Sequence, residues 1–242
     1  MSLAFRYNLG ETTKDLQESR DILIDYIRLP QCKRLINRIL TAQQEYDIRS
    51  LAVLSHFPGE GRTLLVSVIA LGFMTWLDKR VLIVDTVNQT REESFFFRNV
   101  MGNNSQEGIP ISPRAGCIDL VTSHSLQTKN LLLLDHRVKA ALCSQAPAML
   151  SARPDQDTSD FRIISFINSV KSFYDLIIMD TCALTDVNEN THDPMILGQH
   201  IDATILLISE EALEKHVLGK LINNLKHHRI EPLGVVSNLG VT

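Results

Sequence analysis

The chain has 242 residues, which is room for one large α/β domain with a substantial core and little for a second. A formal net charge of −4 leaves no basic footprint for nucleic acid, and none is expected as a partner. The longest apolar stretch, Leu64 to Leu77, is broken by Ser67, Gly72 and Thr75 and falls short of the ~20 residues a membrane span needs.

Residues 1–50 read as a polar N-terminal helical arm. Ile22, Leu23, Tyr26 and Ile27, then Leu35, Ile36, Ile39 and Leu40, recur at helical spacing, with Pro30 breaking the pattern between them. The remainder, 51–242, reads as a single domain. It opens on an apolar strand, Leu51-Ala52-Val53-Leu54, then a turn, Ser55-His56-Phe57-Pro58-Gly59-Glu60-Gly61-Arg62-Thr63, then a helix over about 63–77. A strand follows at 80–85, a helix near 91–101 and a turn-rich connection over 102–116. Ile118 to Leu126 is expected to hold a short helix, and Leu131–Leu134 a buried strand. Past a loop at 151–159 come a helix at about 160–172, strands at 175–180, 203–208 and 233–237, and a helix over roughly 211–228. Strands alternating with helices specify an α/β fold: three layers, with a mostly parallel central sheet and helices on both faces.

The 55–63 turn carries the chemistry. Glycines let successive backbone N–H groups face an anion, and the following helix N-terminus adds its positive dipole end. Against the phosphate-loop pattern G-x-x-x-x-G-K-[ST], His56 stands at the first glycine and Arg62 at the lysine, while Gly61 and Thr63 match. Arginine keeps the charge but its planar fork is no substitute for a compact ammonium. Two further strand runs carry a terminal aspartate, Arg80-Val81-Leu82-Ile83-Val84-Asp85 and Tyr174-Asp175-Leu176-Ile177-Ile178-Met179-Asp180-Thr181. One aspartate after an apolar strand is unremarkable, being more often a turn residue or helix cap. Two of them downstream of such a loop suit Mg²⁺ beside phosphates.

Together these segments resemble the deviant-Walker P-loop ATPases, the superfamily of partitioning and division-site ATPases. They most closely resemble the cytoplasmic domain of bacterial tyrosine kinases of the polysaccharide-export type. Pro58-Gly59-Glu60-Gly61-Arg62-Thr63 matches that family's Pro-Gly-Glu-Gly-Lys-Ser/Thr loop in all but the lysine. Asp85-Thr86-Val87 keeps the first aspartate of its Asp-x-Asp and loses the second. Asp180-Thr181 keep its Walker B core, with Cys182-Ala183 where the family has prolines. Leu233-Gly234-Val235-Val236-Ser237-Asn238 is similar to its Gly-Val-Val-x-Asn strand. Phe57 stands where the partitioning ATPases carry an extra lysine.

The resemblance implies a P-loop NTPase fold binding ATP or ADP with Mg²⁺. Pro58, Gly59, Glu60, Gly61, Arg62, Thr63, Leu64 and Asn238 would line the nucleotide. Thr63, Asp85 and Asp180 would hold the metal, and Arg62, Asp85 and Asp180 would serve any catalysis. It also implies oligomers and a membrane-embedded chain-length regulator as partner, for a cytoplasmic protein recruited to the inner face of the cell membrane. The family's tyrosine-rich tail is not matched, since Tyr7, Tyr26, Tyr46 and Tyr174 are not clustered, and its N-terminal oligomerising motif survives at best as Glu18, Arg20 and Asp21. A nucleotide-binding regulator of exopolysaccharide or capsule assembly with weakened catalysis is therefore expected. The alternatives are an active ATPase or tyrosine kinase, and a scaffold with a vestigial loop. Cys32, Cys117, Cys143 and Cys182 have no metal-site spacing and are expected as free thiols, Cys182 without a nucleophilic role.

Overall fold

The computed structural model describes residues 2–3, 23–87, 118–122, 159–188, 191–210, 213 and 215–238. The helix expected near 91–101, the connection at 102–116, the strand at Leu131–Leu134 and the loop at 151–159 lie outside these residues, apart from Ser159 at the last one's edge.

A parallel sheet organises the described chain. Its strands are β1 (Ser2–Leu3), β2 (Ser50–Ser55), β3 (Val81–Asp85), β4 (Ile118–Thr122), β5 (Leu176–Asp180), β6 (Ala203–Ser209) and β7 (Gly234–Asn238). They are arranged in the order β1-β7-β6-β2-β5-β3-β4. Every pairing is parallel, so all the strands end on the same edge. The helices are α1 (Pro30–Tyr46), α2 (Arg62–Leu77), α3 (Ser159–Val170), α4 (Pro194–His200) and α5 (Lys215–His227).

Each central strand is apolar on both sides, because successive side chains point to opposite faces and both faces are covered. Leu51, Val53, Ile83, Ile178 and Ile205 join one core with α1 and α2. Ala52, Leu54, Leu82, Val84, Ile177 and Leu206 join a second with α3, α4 and α5. The expected three-layer P-loop NTPase architecture is the one observed.

Helix α2 has no polar face at all from Leu64 to Ala70, every residue being buried. It packs on the sheet and beside α1, which covers the same face of the sheet over β6 and β7. At Gly72 the two helices come so close that a Cβ there would lie 2.0 Å from Ile36 Cδ1. The N-terminal segment therefore contributes to the core: Leu23, Ile27, Cys32, Leu35, Ile36 and Ile39 are all buried in it. Pro30 does separate two helical pieces, residues 23–28 and α1, but it does so as the first residue of α1. A proline belongs there because its missing N–H would have no helical partner anyway.

One expectation is corrected. The segment from Ile118 is strand β4, paired in register with β3 from Val81↔Ile118 to Asp85↔Thr122. The run Ile118-Asp119-Leu120-Val121-Thr122 has the β-branched content and near-alternation of a strand, and β3 needs a partner on its outer edge. The strand β1 and the short helix α4 were not anticipated. The helix expected over 211–228 is described from Lys215 to His227, with Lys226 and His227 in its last turn, where cations suit the dipole.

Candidate functional site

The chain leaves β2 towards β3 on one side of the sheet and returns from β5 to β6 on the other. The crevice at the ends of β2, β5 and β6 is thus a topological switch point, where open parallel sheets take their ligands. The 56–61 turn bridges β2 to α2 at that crevice. Gly59 and Gly61 hold φ of 76° and 96°, a left-handed backbone that L side chains rarely adopt. A Cβ on Gly59 would meet nothing within 4 Å, so it is backbone conformation and not crowding that calls for glycine there.

Helix α2 starts at Arg62 with Gly61 as its N-cap, no side chain caps it, and no acidic residue lies in its first turn. Its first helical bond runs from Leu65 N to Gly61 O at 2.9 Å. The N–H groups of Arg62, Thr63 and Leu64 precede it and have no carbonyl of their own helix to bond. Such an end is an anion site by construction.

The two aspartates arrive from neighbouring strands. Asp85 and Asp180 are the last residues of β3 and β5 and are direct register partners. They are 2% and 1% exposed. Thr63 Oγ1 donates to Asp180 Oδ2 at 2.7 Å, which joins the opening turn of α2 to the tip of β5. Asp85 Oδ1 accepts from Val87 N at 3.0 Å, a short turn that fixes the carboxylate at the strand end. Thr86 N and Oγ1 both donate to Asp180 O, at 3.0 and 2.7 Å, and Thr181 Oγ1 donates to Val53 O at 2.8 Å. Hydroxyl residues just past the strands thus hold the aspartates at fixed positions. Ser55, Thr86 and Ser209 were given no role from the sequence, where their only signal was a hydroxyl at or just after a buried strand end, and Thr181 was noted only as part of the Walker B core.

Arg62 lies back along β2: its Nη1 donates to Ser55 Oγ, while the Ser55 hydroxyl donates to Phe57 O at 3.1 Å. Arg62 Nε is buried and has no hydrogen-bond partner among the described residues. Glu60 is buried, bonded by its side chain to His56, Phe57 and Ser209. Asn238 Nδ2 donates to Glu60 O at 3.0 Å. Phe57 and Pro58 are on the exposed outside of the turn, Phe57 edge-on to His56 with ring centroids 4.3 Å apart. Leu64 is buried and can offer a ligand only its backbone N–H.

Burial pushes the Cys182 thiol up, with the nearby Arg62 charge opposing it. Its Sγ donates to the main-chain carbonyl of His192 at 3.2 Å, and His192 Nδ1 lies 2.8 Å from Asp160 Oδ1. A protonated thiol turned to a carbonyl oxygen is not an activated nucleophile.

ATP or ADP with Mg²⁺ is what this fold family implies, and the donor set fits. One hydroxyl and two carboxylates, all oxygen, suit Mg²⁺. The uncapped start of α2 suits a phosphate, and Arg62 Nε is a buried donor in need of an acceptor. Among the described residues no helix is long and apolar enough to cross a membrane.

Fold and crevice together are those of a P-loop NTPase-like fold. No protein-family model matches the chain, and no curated protein matches it in sequence. Solved structures do match. A chimeric protein, CapA2B2, superposes with TM-score 0.61 at 15% identity, over 99% of this chain and 93% of that one. The kinase domain of the Escherichia coli tyrosine kinase ETK gives 0.56 at 14% identity, over 99% and 89%. The VpsO kinase domain gives 0.53 at 17% identity, over 85% and 91%. The chain has the fold of bacterial tyrosine kinase domains, as the motifs implied.

Proposed function

We propose that this chain is a nucleotide-binding regulatory protein of exopolysaccharide or capsule assembly, built on a tyrosine-kinase-like fold with weakened γ-phosphate chemistry. The observation that carries the reading is the 2.7 Å contact of Thr63 Oγ1 with Asp180 Oδ2, at a strand tip whose register partner is Asp85. A loop hydroxyl and two buried carboxylates meeting at the mouth of a glycine turn is the arrangement a Mg²⁺–nucleotide needs.

Bound Mg²⁺ would neutralise phosphate charge. The chain's own residues do the rest: the N–H groups of Arg62, Thr63 and Leu64 orient the phosphates, and Thr63, Asp85 and Asp180 hold the metal side. Two substitutions bear on chemistry. Arg62 replaces the lysine and is engaged with Ser55, and Val87 stands where the resembled family has its second aspartate. Nucleotide acts here as an assembly switch, favouring one oligomeric or partner-bound state by binding it more tightly. The resemblance supplies the setting: the cytoplasm, at the inner face of the membrane, with a membrane-embedded chain-length regulator.

Calorimetric titration with ADP and Mg²⁺, backed by thermal shift, tests the reading. Binding that needs Mg²⁺ and is lost in Thr63→Ala supports it, and no heat and no shift at millimolar nucleotide ends it. Phosphate release from ATP above that of Thr63→Ala would turn the regulator into an active ATPase or kinase. A second reading has an observation of its own. Arg62 turned back onto Ser55 favours a vestigial loop in a scaffold that works by protein contacts alone.

A further inference from the structure

Glu60 sits in the middle of the phosphate loop, yet its carboxylate faces the loop's own framework. Oε2 accepts from His56 N at 2.8 Å and Phe57 N at 3.0 Å. Oε1 accepts from Ser209 N at 2.7 Å and Ser209 Oγ at 2.8 Å. The residue is 3% exposed. Its main-chain carbonyl accepts from Asn238 Nδ2 at 3.0 Å. Ser209 and Asn238 are the last residues of β6 and β7 and are register partners. One residue therefore ties the loop to the tips of two strands.

The N–H groups Glu60 takes are not those a phosphate would use. His56 and Phe57 precede the first glycine of the turn, on the β2 side. The donors left by the start of α2 are on Arg62, Thr63 and Leu64, beyond the second. A carboxylate accepting several N–H bonds at short distance is a strong, directional clamp. Here it satisfies the turn's first two donors and leaves the three that open α2 for a ligand.

We infer that Glu60 is a positioning residue: it holds the β2 side of the loop in a preformed shape and couples it, through Ser209, to the tip of β6. The coupling rests on the nucleotide reading above, because what enters the loop is a phosphate. The clamp itself does not. Occupancy of the loop is then felt at the tip of β6, on the far side of β2 from Asp85 and Asp180. Glutamine is no equivalent. Its amide has one acceptor and one donor end, and whichever way it turns, an NH₂ faces N–H donors. Aspartate is a methylene too short to reach both sides.

Amide hydrogen exchange on the full chain, without ligand and with ADP and Mg²⁺, tests this in wild type, Glu60→Gln, Glu60→Ala and Ser209→Ala. Without ligand the His56, Phe57 and Ser209 amides of the wild type should be protected. In Glu60→Ala they should exchange about tenfold faster or more, while the buried turns of α2 are unchanged. Ser209→Ala, which keeps its N–H bond, should lie in between. Adding ADP and Mg²⁺ should raise protection at Ser209 in wild type and fail to do so in Glu60→Ala, even where nucleotide still binds. A merely structural glutamate would not abolish that response. Should Glu60→Ala not fold, the near-isosteric Glu60→Gln carries the same comparison. Unchanged exchange at His56 and Phe57 in the variants overturns the clamp, and a Ser209 response that survives in them overturns the coupling. A wild type whose clamp amides are protected but which shows no ADP response at any amide overturns the coupling and the nucleotide reading, and leaves the clamp standing.

Discussion

The two ends of the sheet handle carboxylates in opposite ways. Where the strands begin, Asp175 and Asp202 are about a third exposed and each meets a cation, Arg80 Nε at 3.1 Å and Lys171 Nζ at 2.6 Å. Both also accept backbone N–H bonds, Asp175 from Arg80 and Asp202 from Arg49 and Ser50. They are clips that fasten strand entrances. Where the strands end, Glu60, Asp85 and Asp180 are 3%, 2% and 1% exposed, and they accept hydrogen bonds from hydroxyls and backbone N–H groups. Carboxylates buried this deeply cost stability unless a cation or strong hydrogen bonds compensate. A protein bears that cost where charge has work to do, so the difference separates scaffold from site.

Charge removal should therefore act differently at the two ends, and the largest effect belongs to the site. Asp180→Asn should weaken ADP binding in the presence of Mg²⁺ by about 10–100-fold by calorimetry, with urea stability of the free protein unchanged or raised. Equal losses of stability and binding would erase the distinction. At the other end, Asp202→Ala should cost about 1–3 kcal/mol in urea unfolding, because it strands the buried Ser50 N–H, and should leave any ADP affinity within about twofold.

Acid should probe the same clips. Burial pushes the Asp175 and Asp202 carboxyls up, but hydrogen bonds win in both, from Arg80 for Asp175 and from Lys171, Arg49 and Ser50 for Asp202, and hold them below the usual range. A carboxylate with a lowered folded-state pKa stabilises the fold above its unfolded value of about 3.9 and loses that contribution as pH falls through the folded value. Stability should thus drop below about pH 4, and the double variant Asp175→Asn, Asp202→Asn should show a flatter acid limb. The smallest effect is expected of Arg80→Ala, which removes a part-exposed ion pair worth about 1 kcal/mol or less and screened by salt.

The sequence carried the central strands because each is apolar on both faces and ends in a residue of another kind. That pattern survives without any knowledge of neighbours, and so Asp85 and Asp180 could be paired in advance. The glycines at 59 and 61 were legible for the same local reason. Other features depend on distant partners. Strand β4 reads as a strand only once β3 offers it an edge. Pro30 reads as a breaker in isolation, and its place at a helix start emerges only when α1 packs against α2. The Glu60 clamp could not be read at all, since Ser209 lies 149 positions away and nothing local to either residue marks the contact.

The most direct measurement is a crystal structure of the chain with ADP and Mg²⁺. The account predicts a metal about 2.1 Å from Thr63 Oγ1 and held directly or through water by Asp85 and Asp180, with a phosphate on the N–H groups that open α2. Diphosphate elsewhere, or an Arg62 still bonded to Ser55 and making no phosphate contact at saturating nucleotide, would contradict it.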